Sequence, residues 1–126
     1  MKLSPHDVEA YANSVKSRIL ALVKEHNDNM LTTWLITTGY LELHTIYEQE
    51  LHKLYKGHWD DKIIDKLWMT VKNLSFGIKA YLTIHDNSDL LKFVETMIDF
   101  QIMSFYADFE EIVDRSQLER GSQWLL

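Results

Sequence analysis

The chain has 126 residues, 46% of them hydrophobic and 25% charged, with a net charge of −6, four glycines, one proline and no cysteine. That length supports one domain with a real core, and the composition excludes a chain that is disordered throughout. The absence of cysteine excludes disulfides, thiolate metal sites and a cysteine nucleophile, and so few chain breakers favour long helices over a many-stranded sheet.

The start, MKLSPHDVEAY, lacks an apolar segment behind Lys2 and does not read as a secretory signal. No run approaches the roughly 18 apolar residues needed to span a bilayer. The expectation is a cytoplasmic, soluble protein without a membrane partner.

A first helix is predicted over 5–26. Ser4 stands at the cap, Pro5 at the first helical position and Asp7 in the first turn. Val8, Tyr11, Val15, Ile19 and Leu22 form its apolar stripe, and Asn27-Asp28-Asn29 breaks the pattern. A second helix is predicted over 30–55, with Leu35, Gly39, Leu43, Ile46, Leu51 and Leu54 inward and Gly57 as its C-terminal glycine. The stretch 31–47 is rich in Thr, Trp, Ile and Tyr, so an α+β alternative with a hairpin near 31–47 competes there. A third helix, 61–84, starts at Asp60 or Asp61 and carries Ile64, Leu67, Trp68, Val71, Leu74, Ile78, Tyr81 and Leu82 on one side. After His85-Asp86-Asn87-Ser88 a fourth helix is predicted over 89–114, its stripe running from Leu91 through Val94, Ile98, Ile102, Phe105 and Phe109 to Ile112. Residues 115–126 show no sustained period and are broken by Gly121, so they read as a short C-terminal tail. Four helices with short links give a single all-α domain, an antiparallel up-down-up-down four-helix bundle.

The charge is uneven. Residues 1–84 hold ten acids and ten bases, whereas residues 85–114 hold eight acids and one base. Such a field disfavours nucleic acid as a direct ligand, which needs clustered Lys and Arg, and suits a protein partner with a basic surface. The leading expectation is a non-enzymatic protein-binding module: an acidic inhibitor, immunity or adaptor protein. Its partner surface would comprise Glu95, Asp99, Asp108, Glu110, Glu111 and Asp114, with Trp124, Leu125 and Leu126 as an apolar anchor. Gln123-Trp124-Leu125-Leu126 resembles the Gln-containing peptides with terminal Leu or Phe that dock on DNA sliding clamps. Trp59, placed by no stripe, is a second anchor candidate, and Met69, Met97 and Met103 are read as core gap-fillers.

Two further alternatives stand beside it. His44-x3-Glu48-x3-His52 forms one stripe on the second helix, the arrangement by which bundles hold iron, manganese or zinc. The His-x3-Glu piece resembles one element of hemerythrin-like bundles; the His-x3-His and His-x4-Asp elements have no counterpart here, and no metal or other cofactor is assigned. The other alternative is a structural homo-oligomer. No nucleophile motif or Gly-rich phosphate loop is present, and no catalytic residue is assigned.

Overall fold

The computed structural model describes residues 4–125, with side chains for 4–111, 114 and 115. Helix α1 is Pro5–Glu25. Helix α2 is assembled from Leu31–Trp34, a π-helical turn Leu35–Gly39, and Tyr40–Leu54. Helix α3 is Asp61–Ile84 and α4 is Leu90–Leu125. The described residues contain no strand, so the protein is an all-α bundle and the hairpin alternative is overturned. The helix wins over the β-leaning composition for two reasons. Leu31, Trp34, Leu35, Leu43, Ile46 and Tyr47 are all buried by it. Two of the five threonine hydroxyls are also satisfied inside it: Thr37 and Thr45 donate to the carbonyls of Thr33 and Leu41 at 2.8 and 3.0 Å.

The helices pack in a closed ring, α1 on α2, α2 on α3, α3 on α4 and α4 back on α1. Contacts along each seam rise in one helix as they fall in the other. On the α3–α4 seam these are Tyr81 with Phe93, Thr70 with Gln101, and Lys66 with Asp108. On the α1–α4 seam they are Val8 with Tyr106 and Lys16 with Asp99. These pairs therefore run in opposite directions. Val15, Ile19, Leu43, Leu51, Val71, Leu74, Ile78, Val94 and Ile98 are wholly buried at the centre.

One polar relay crosses this core. The Tyr47 hydroxyl donates to Gln101 Oε1 at 3.2 Å, and Gln101 Nε2 donates to the Thr70 carbonyl at 3.2 Å. It ties α2, α4 and α3 together, and burial pushes the Tyr47 hydroxyl well above its ordinary pKa.

Both mid-helix glycines mark close approaches. A methyl group at Gly77 would collide with the Met97 thioether arriving from α4. A methyl at Gly39 would lie 2.9 Å from the Trp34 indole. Trp34 is five residues earlier, the repeat of a π-turn, so the turn lays the indole over the glycine. The indole stays there by stacking on His26 at 4.2 Å and donating to Glu42 Oε2 at 2.8 Å.

Several local expectations are corrected. Ser4 takes the N-cap position of α1 but makes no side-chain cap bond, whereas Asp60 Oδ1 accepts the Ile63 N–H at 3.1 Å and caps α3. Among the described residues no glycine has positive φ, so Gly57 is not a left-handed terminator; α2 ends at Leu54, where Tyr55 turns extended. Ahead of α4, the Ser88 N–H and hydroxyl both donate to Asp86 Oδ1. Ile64, predicted inward, is 38% exposed.

The largest correction is at the C-terminus. Residues 115–125 continue α4 instead of forming a separate tail. Arg115, Gln117, Leu118, Glu119 and Arg120 are good helix formers, and Gly121 alone costs only about 1 kcal/mol. The Glu111–Arg115 ion pair, 2.8 Å, bridges the expected boundary. Leu126 and the side chains of Ile112, Trp124 and Leu125 lie outside what the structure describes.

Candidate functional site

The outward face of α4 is the first candidate. At about 100° per residue, Phe100, Met103, Ala107, Glu110 and Asp114 fall opposite the buried stripe Val94, Ile98, Phe105 and Phe109. Phe100 and Met103 are 71% and 74% exposed. The sequence reading missed Phe100, although its position off the core stripe was a usable signal. It placed Met69 and Met103 in core gaps, yet both are exposed; Met97 alone of the three is half-buried, over Gly77.

The acids of α4 do not form one uninterrupted face. Asp99 pairs with Lys16 of α1 at 2.7 Å, and its carboxylate raises the Lys16 amine above its ordinary value. Asp108 turns the other way and pairs with Lys66 of α3 at 2.5 Å. Glu111 pairs with Arg115, and Glu110 and Asp114 also have interactions. Glu95 is exposed and close enough to Lys16 to act on its charge. The negative charge is therefore partly neutralised on both flanks, by Lys16 on the α1 side and by Lys66 on the α3 side.

The His44-Glu48-His52 stripe is organised by tryptophan. His44 stacks on Trp68 at 3.7 Å between centroids, and its Nδ1 lies 3.4 Å from Glu48. Burial against the indole lowers its pKa, with Glu48 pulling the other way, and its Nε2 is buried without a hydrogen-bond partner. His52 stacks on Trp59 at 3.9 Å. Trp59 is therefore half-buried packing, with its indole N–H directed to the Tyr55 carbonyl at 3.4 Å, and not a free anchor. Among the described residues no three His, Asp or Glu side chains come together as a metal site. No described helix is long and apolar enough to cross a membrane.

A second surface lies across the bundle. Leu35, Ile36 and Tyr40 of α2 face Trp68, Val71, Ser75 and Phe76 of α3 around a groove of about 260 Å³. Ile36 and Phe76 are 55% and 62% exposed at its mouth. Compared with known protein families, with curated proteins and with solved structures, the chain matches none.

Proposed function

We propose that this protein is a non-enzymatic protein-binding module, of the inhibitor, immunity or adaptor kind, that docks the outward face of α4 on a basic protein surface. The observation that supports it is the exposure of Phe100 and Met103 on the same helix face as Glu110 and Asp114, with Asp99 at its edge. A large exposed aromatic beside a flexible thioether is the composition of an interface centre, and flanking acids steer a basic partner and set register. The same acids repel a nucleic-acid backbone.

The test is affinity capture from the native lysate, followed by association kinetics with whatever partner is retained. Phe100→Asp should abolish capture. Glu110→Lys with Asp114→Lys should slow association about tenfold at low salt and flatten its salt dependence. A partner held equally well by wild type and by both variants would remove α4 from the interface. Capture of the chain only by itself would favour the homo-oligomer.

A further inference from the structure

The groove between α2 and α3 has features that simple packing does not explain. Its walls are apolar: Leu35, Ile36, Tyr40, Val71 and Phe76. One polar line interrupts them. Lys72, Ser75 and Lys79 follow at steps of three and four along α3, so they share one helix face, and all three line the groove. Neither lysine has a carboxylate partner among the described residues; Lys79 rests over the Phe76 ring, 5.8 Å from its centroid. Ser75 Oγ is buried with no hydrogen-bond partner. By contrast, the hydroxyls of Thr37, Thr45, Thr70 and Thr96 each return to the carbonyl four residues back. A buried hydroxyl left unpaired is costly, and it lines the same groove as two lysines without a carboxylate partner among the described residues, so the groove calls for an acceptor. The upper wall comes from the π-turn, a distortion that concentrates at functional positions.

We propose that this groove binds a small amphipathic monoanion, a free medium-chain carboxylate, with its head on Ser75, Lys72 and Lys79 and its tail along Leu35, Ile36, Val71 and Phe76. The two ammonium groups pair with the carboxylate, and a small shift of the buried Ser75 side chain lets its hydroxyl donate to it. The tail removes the exposed faces of Ile36 and Phe76 from water. The groove, about 260 Å³ and open along one side, is on the scale of a medium acyl chain, and octanoate is the probe. The surface is separate from the α4 face, so neither reading depends on the other.

Trp68 lines the groove and supplies the readout, with Trp34 and Trp59 as internal controls. Octanoate is titrated, below its aggregation range, into the 15N-labelled full chain, and the indole N–H signals are followed. The Trp68 signal should move saturably while those of Trp34 and Trp59 stay fixed. Lys72→Gln with Lys79→Gln should weaken binding at least tenfold, and octan-1-ol should bind wild type about tenfold more weakly than octanoate. Ile36→Glu, a change at an exposed site, should abolish octanoate binding with the helical circular dichroism intact. An unmoved Trp68 signal overturns the proposal and would fit a groove that takes only a helix from a protein partner. Equal affinity for octanoate and octan-1-ol, or no loss on replacing the lysines, overturns the assigned head group.

Discussion

Replacing Gly39 by alanine sets two effects against each other. In a helix interior the change gains about 1 kcal/mol from backbone propensity. Against this, the new methyl would sit 2.9–3.0 Å from three atoms of the Trp34 indole. The ring is rigid, 8% exposed and sandwiched by His26, so it can yield only by leaving its site. Displacement breaks the bond to Glu42, worth about 1.5 kcal/mol at the low end suited to an exposed carboxylate, and overpacking adds about 1–3 kcal/mol. The balance is a net loss of about 2 kcal/mol, or about 8 °C in Tm for a chain of this length. Gly77→Ala meets only the flexible end of Met97, which can swing aside, so the same change there should stabilise by up to about 1 kcal/mol. Urea unfolding at constant m value measures both. In a Trp34→Ala background the obstruction is gone, and Gly39→Ala should then become favourable by about 1 kcal/mol. Stabilisation by Gly39→Ala in the wild-type background would refute the π-turn packing described here.

Two other outcomes are expected. Gln101→Leu removes the centre of the relay, leaves the Tyr47 hydroxyl without its acceptor and should cost about 1–3 kcal/mol; Tyr47→Phe in that variant should add little, and fully additive losses would show that the two residues act separately. His44 has a lowered pKa when folded, so the unfolded chain takes up the proton first. Its contribution is complete above about pH 6.5 and is lost as pH falls from there toward the folded value. His44→Phe keeps a ring on Trp68 without a titrating group, and should flatten the fall in stability between about pH 7.5 and 5.5; an unchanged slope would assign that fall to other groups.

The parts legible in the sequence were those governed by local chemistry. Pro5 and Asp60 mark helix starts because their effects act within one turn, and the apolar steps from Val94 to Phe109 survive because α4 is regular there. Helix α2 was harder. Leu31, Leu35, Gly39, Leu43, Tyr47 and Leu51 are all buried at strict steps of four. An α-helix drifts about 40° with each such step, which reads as a weakening period. The π-turn absorbs part of that drift, so the pattern is a signature rather than a defect. The end of α4 was missed because loss of apolar period was read as loss of helix, although propensity alone can carry a polar helix onward. The histidines were read as a stripe with ligand spacing. What defines them is the stacking partner each one has, Trp68 from α3 on His44 and Trp59 from the link after α2 on His52. Burial of Glu50, held by Arg18 and Lys53 at 3.3 and 3.1 Å, had no signal in helical spacing alone.

A π-turn is an α-helix that has accommodated one surplus residue, with the flanking helix kept in phase. Within 35–39 the chain therefore has a position where its length can change without rotating the elements on either side. Deleting Thr38 would leave Leu31 and Leu43 on the face they occupy now. A deletion elsewhere in α2 would turn one half of the helix by about 100° and pull its buried residues out of the core. The shortened α2 would fold with the same ring of neighbours but draw the groove wall inward, separating the capacity to fold from the capacity to hold a ligand. Gain or loss of a single codon at this one place is thus a route by which related chains could acquire or discard a cavity while keeping the bundle.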